Sequence, residues 1–162
     1  YEGDLAYSWG NLTGAELVRR CWEGAVRGGY VTHGETYLND REEIWWAHGG
    51  ELTGGSPARI RFLDEIVATS PTGALEPLHS FADAPTGGVP GQFLLTYLGA
   101  RQPRFRDITL PDGAWELSVI DTWNMTLHTL PSRHRDSVRI ELPARPYMAV
   151  RAVLVPDDEG TT

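Results

Sequence analysis

Apolar and polar positions follow two different periods along this chain, and the change of period divides it. Between residues 13 and 68 the apolar side chains recur at helical spacing. Leu17, Val18, Cys21, Trp22, Ala25 and Val26 fall on one face, with Arg19, Arg20, Glu23 and Arg27 off it. Thr13 followed by Glu16 forms a capping box, and Leu12 and Leu17 hold the two positions of a hydrophobic staple, so a helix is predicted to start at Thr13. Gly28 and Gly29 end it. Tyr30, Val31 and Thr32 then read as a short buried parallel strand. A second helix is predicted with Ser56 as its cap and Pro57 in its first position. Ile60, Leu63, Ile66 and Val67 line one face of it, Arg59, Arg61, Asp64 and Glu65 the other, and Ser70 and Pro71 stop it.

From about residue 74 the helical period gives way to strand-like runs near 75–81, 91–99, 104–110, 115–122, 125–130, 137–142 and 147–155. The sequences Pro-Thr-Gly-Gly at 85–88 and Pro-Asp-Gly at 111–113 read as breaks, and Arg133, His134 and Arg135 as a solvated turn. In Ile120-Asp121-Thr122-Trp123-Asn124-Met125-Thr126, Asp121 with Thr122 is suited to fixing a turn and Trp123 to sealing an interface with the first unit. The expected fold class is therefore α/β plus all-β: residues 1–72 as one unit and 73–162 as an antiparallel β-sandwich, with 156–162 as a frayed tail.

Composition narrows the function. With 41% hydrophobic and 22% charged residues and a mean hydropathy of -0.31, the 162-residue chain has the make-up of a globular protein, and no apolar run reaches the length of a membrane span. All 14 basic residues are arginine and face 22 acidic ones, a net charge of -8 that argues against nucleic acid as a partner. The single cysteine, Cys21, excludes an internal disulfide and a thiolate-rich metal site. The chain opens on Tyr1 with neither methionine nor leader, so any targeting segment is expected to be already removed or to lie outside it, and the compartment is left open. Six tryptophans among many glycines and prolines suit a protein that presents flat aromatic surfaces, for which sugars are frequent ligands.

The connection from 33 to 55 is far longer than the roughly two to six residues usual between a strand and its helix. It holds His33, Glu35, Tyr37, Trp45, Trp46 and His48, and loops leaving the carboxyl end of a parallel strand are where such folds bind ligands. Glu2 and Glu35, at the ends of consecutive elements, form a candidate pair of the kind that flanks a scissile glycosidic bond. His33, Glu35 and His48 also supply metal-ligating atoms, but the spacing is nonspecific and ordinary hydrogen bonding is the stronger reading; no metal or other cofactor is expected. Cys21 falls on an apolar helix face, which suits inert packing.

Together, Trp9-Gly10-Asn11-Leu12-Thr13, Arg27-Gly28-Gly29-Tyr30, His33-Gly34-Glu35-Thr36, Trp45-Trp46 with Gly49-Gly50, and the run from Ser56 to Leu63 resemble the carboxyl-terminal part of apiosidase-like barrel glycosidases. The Asp121-Thr122-Trp123-Asn124 stretch and Leu142-Pro143 through Pro146-Tyr147-Met148-Ala149 resemble their appended β-sandwich. The resemblance implies the last β/α units of a TIM-type barrel followed by a sandwich, from an enzyme that cleaves O-glycosidic bonds with two carboxylates. It also implies a fragment, because such a barrel needs about 250 residues. The acid/base of that clan then falls outside the chain, and the nucleophile falls just before Tyr1 or at Glu2. On this reading His33, Tyr37, Trp45, Trp46 and His48 contact substrate, and an upstream barrel segment or a second copy completes the fold. The other function class open to the sequence is a noncatalytic carbohydrate-binding or structural β-sandwich module, which would expose Trp115 or Trp123 on its sheet.

Overall fold

The computed structural model describes residue 2 and residues 12–32, 54–78 and 83–156. Helix α1 (Gly14–Val26) starts where its cap predicts, with Thr13 Oγ1 accepting the Glu16 N–H at 3.2 Å. The Glu16 carboxylate turns along the helix instead of back to the cap, accepting from Arg19 and Arg20 at 2.7 Å each. At the other end Gly28, at φ +74°, donates to the Ala25 carbonyl and Gly29 to the Gly24 carbonyl, closing the helix with paired bonds that need a left-handed residue. Helix α2 (Ser56–Ala68) has Gly55 at its N-cap, not Ser56 as the sequence suggested. Ser56 is buried, and a carboxylate distant in sequence does the capping, as described below.

The remaining elements are antiparallel strands: β1 (Glu76–Pro77), β2 (Thr86–Val89), β3 (Phe93–Tyr97), β4 (Phe105–Thr109), β5 (Ala114–Asp121), β6 (Thr126–His134), β7 (Ser137–Glu141) and β8 (Met148–Val155). Six form one sheet in the order β1-β2-β3-β8-β5-β6, and β4 pairs with β7 in a second, smaller one. Strand alternation sends successive side chains to opposite faces of the large sheet. Phe93, Leu95, Tyr97, Ile120 and Ala149 pack with Leu17, Trp22, Val26, Leu63 and Ile66 of the two helices. Leu94, Trp115, Leu117, Met148, Val150 and Ala152 pack with Ile140 of β7, joined by Ile108 of β4 and Val138 of β7. The sheet is thus covered by helices on one face and by the β4–β7 ribbon on the other. One core also runs across the expected boundary at residue 72, centred on Trp22, which stacks on Tyr97 at 5.6 Å and meets Phe62 at 6.5 Å.

Three further expectations are corrected. Tyr30, Val31 and Thr32 form no strand, and Tyr30 is 97% exposed, because no strand among the described residues lies beside them to share a ladder. The break read at 85–88 is largely strand β2, whose glycines serve close approach: a Cβ on Gly87 would lie 2.6 Å from the Val26 carbonyl at the end of α1. The turn read at Arg133 and His134 is the end of β6, an edge strand in which the register shifts opposite the Glu116-to-Ser118 stretch of β5. Pro131 falls inside that irregularity, where a missing N–H costs no ladder bond.

Trp22→Ala is expected to lower stability by about 3–5 kcal/mol in urea unfolding, because neither helix nor sheet can close over the space left. Paired with Arg19 and Arg20, the Glu16 carboxyl is lowered from its ordinary 4.5 to about 2. A lowered folded value means the contribution is present above pH 4.5 and is lost as pH falls through about 2. Glu16→Gln is expected to remove that acid-sensitive part of the stability curve, under ~1 kcal/mol for partly exposed groups.

Candidate functional site

Of the residues singled out in the sequence, Glu2 lies within the described structure, whereas His33, Glu35, Tyr37, Trp45, Trp46 and His48 fall outside it. Glu2 is bridged to Leu12 in parallel fashion and stands between the starts of both helices. Its Oε1 accepts the Gly55 N–H at 2.8 Å and its Oε2 the Ser56 N–H at 2.7 Å. These N–H groups have no partner within α2, and the positive end of the helix dipole favours an anion there. Glycine stands on both sides: a Cβ on Gly14 would lie 2.8 Å from the Glu2 carboxyl carbon and force that side chain to shift, and Gly54, at φ +95°, holds a backbone that side chains disfavour, with a Cβ there 2.6 Å from each carboxylate oxygen.

One turn further along α2, Arg59 ties this corner to the sheet. Its Nε donates to the Trp123 carbonyl at 2.7 Å and its Nη1 to the Gly55 carbonyl at 2.6 Å, while the guanidinium lies 3.8 Å from the Trp123 ring centroid. Trp123 is itself held by the β5–β6 turn. Asp121, 3% exposed, accepts the N–H groups of Trp123 at 3.1 Å and Asn124 at 2.8 Å through Oδ1. Its Oδ2 accepts from Asn124 Nδ2 and from Arg145. The Thr122 hydroxyl donates to the Tyr147 carbonyl at 2.8 Å, fastening the turn to the segment that enters β8. Asp121 and Thr122 therefore fix the turn as their sequence suggested, and Trp123 packs against the helix-bearing core.

Arg59 and Arg145 were not singled out by sequence. Each acts on a residue far along the chain, and an arginine on the polar face of a helix or in a loop carries no local sign of its target. The aromatic platform that a sheet-borne binding module would display is not formed by Trp115 or Trp123. Trp115 is fully buried with its Nε1 donating to the Pro111 carbonyl at 2.9 Å, and Trp123 is half-buried beneath Arg59. Among the described residues no three histidine, cysteine or carboxylate side chains gather closely enough to hold a metal ion.

The family described as Domain of unknown function (DUF5605) matches residues 82–153, which run from just before β2 to within β8. No curated protein matches the chain. Among solved structures, a "putative glycoside hydrolase" from Bacteroides vulgatus is 29% identical with a TM-score of 0.78, over 96% of this chain and 35% of that one. A glycoside hydrolase family 5 protein from the same organism is 12% identical with a TM-score of 0.60, over 91% of this chain and 37% of that one. A third structure, a glycoside hydrolase, is 11% identical with a TM-score of 0.51, over 97% of this chain and 50% of that one. The chain has a fold related to that of glycoside hydrolases and spans about a third to a half of their length.

Arg59→Ala is expected to cost about 2 kcal/mol through two lost hydrogen bonds and the stacked cation. Urea unfolding would measure the loss, and the emission of the newly exposed Trp123 would move to longer wavelength in the folded baseline.

Proposed function

We propose that this chain is part of a glycoside hydrolase that cleaves O-glycosidic bonds of plant-type or bacterial oligosaccharides, and that it supplies part of the substrate-binding rim together with the carboxyl-terminal sandwich. The observation that carries this reading is the 29% identity and TM-score of 0.78 to a "putative glycoside hydrolase", sustained over 96% of the chain. Residues 1–72 are then the last β/α units of a TIM-type barrel, and 73–162 the sandwich.

In a two-carboxylate mechanism one group protonates the leaving oxygen while the other attacks the anomeric carbon or activates water. Glu2 and Glu35 are the carboxylates this reading brings to the mouth. The two N–H donors on Glu2 suit a residue that locks the start of α2 in place, which leaves Glu35 as the one offered to sugar hydroxyls or to a proton in transit. His33, Tyr37 and His48 would bind hydroxyls, and Trp45 and Trp46 would form a flat floor for the apolar face of a sugar ring. Such a floor excludes water and makes the charges around an oxocarbenium-like transition state count for more.

A cavity of about 380 Å³ between α1 and α2, lined by Cys21, Leu63 and Val67 and bordered by exposed Tyr30 and Val31, supports a further part of the reading. Helix faces of a barrel pack on its strands, so this space is suited to strands from an upstream barrel segment or, failing that, a second copy. In a longer protein carrying that segment, the amides of Tyr30, Val31 and Thr32 are expected to exchange with deuterium markedly more slowly than in the isolated chain. Equal rates would count against completion of a barrel here.

The substrate role is tested by titrating the chain with mixed plant-polysaccharide oligomers while following tryptophan emission. A saturable change that disappears when Trp45→Ala and Trp46→Ala are combined is the expected result. A change that persists in that variant would remove these two residues from the rim.

A further inference from the structure

We propose that a groove on the sheet face opposite the helices, between β6 and the end of β7, is a second saccharide-binding site. Only its ligand class rests on the glycosidase reading; its location and residues are independent of the mouth at Glu2. The groove is shallow and open to solvent, with a volume of about 510 Å³. Register places it on that face: Thr126 pairs with Asp121 and His128 with Val119, and Val119 packs on the ribbon-side core. The apolar part of the lining is Val119, Leu130 and Pro143, with buried Met148 beneath, and the rim carries Thr126, His128, Glu141 and Arg145.

The rim has hydrogen-bonding capacity to spare. None of the hydrogen bonds among the described residues uses the Thr126 hydroxyl or the His128 imidazole. Arg104 reaches only Oε1 of Glu141, at 3.3 Å, leaving Oε2. Asp121 differs: its oxygens are filled by Trp123, Asn124 and Arg145, so it anchors Arg145 at the rim and binds nothing further itself.

That inventory selects the ligand. Arg145 is paired with Asp121 and Glu141 with Arg104, so the groove offers no net positive field for phosphate. A wholly apolar ligand would strip water from four polar side chains and give no bond in return. A neutral sugar satisfies both surfaces, laying its C–H face on Val119, Leu130 and Pro143 and exchanging hydroxyl bonds with donors and acceptors around the rim.

The test is a ¹⁵N NMR titration of the chain with xylohexaose, cellohexaose and arabinohexaose, each to about 10 mM, where even weak single-site binding saturates visibly. Saturable shifts are expected at the amides of Thr126, His128 and Glu141 with at least one of the three. Combining His128→Ala with Glu141→Ala, both exposed positions, is expected to weaken binding about tenfold or more while the rest of the spectrum is unchanged. The Trp45→Ala and Trp46→Ala variant is expected to leave the groove shifts in place. No saturable shift at these amides, or shifts that survive the His128 and Glu141 changes, would overturn the groove. A groove that fails while the tryptophan-dependent emission change persists would sink this site and leave the rim reading standing.

Discussion

A six-stranded sheet whose strands carry large apolar side chains on both faces has to be covered twice, and the rest of the molecule is organised by that need. Helices α1 and α2 cover one face around Trp22, and the β4–β7 ribbon covers the other around Trp115. A strand buried on both sides loses the simple in-and-out polar alternation of a solvated sheet. The burial of β5, with Ala114, Trp115, Leu117, Ser118, Ile120 and Asp121 all buried, is of this type. The polar residues it does bury are bound: Asp121 holds the turn and Ser118 meets Thr129 at 3.1 Å.

The covering helices are fixed against the sheet by directional contacts as well as by apolar packing. From Glu2 through Gly55, Arg59 and Trp123 to Asp121 and Arg145, each group satisfies the next, and the path crosses from the helix face of the sheet to the opposite one. Apolar contact alone would tolerate a helix sliding by a fraction of a turn, whereas the fork of a guanidinium between two carbonyls does not. The start of α2 therefore takes its geometry from the sheet. This gives a physical reason for the two helices and the large sheet to share one core.

The sequence reveals what is local in this fold and hides what depends on distant partners. The limits of α1 follow from Thr13 and Gly28, which act within four residues of themselves, and both helical faces follow from a regular period. The end of β6, read as a turn, and the glycines of β2, read as a break, misled because an edge position or a closely approaching helix end cannot be read from neighbours in sequence. Tyr30, Val31 and Thr32 have the local character of a strand without a described neighbour to make them one. At the site, Glu2 was legible as a candidate carboxylate, but not its partner, because the helix it caps begins more than 50 residues later. Arg59 was legible only as a polar-face residue.

The order of the strands in space carries a consequence for biosynthesis. Strand β8, the last of the described strands, lies at the centre of the large sheet between β3 and β5. During translation the helices and β1 to β3 emerge ahead of β8, yet β3 has no neighbour on one side, and β5 and β6 remain a separate hairpin, until residues 148–155 leave the ribosome. The apolar faces of α1 and α2 must wait through that interval, at a synthesis rate of roughly 5–20 residues per second. Strand β8 therefore acts as the keystone, and a nascent chain halted before it would present two half-sheets with open edges to the chaperones around it.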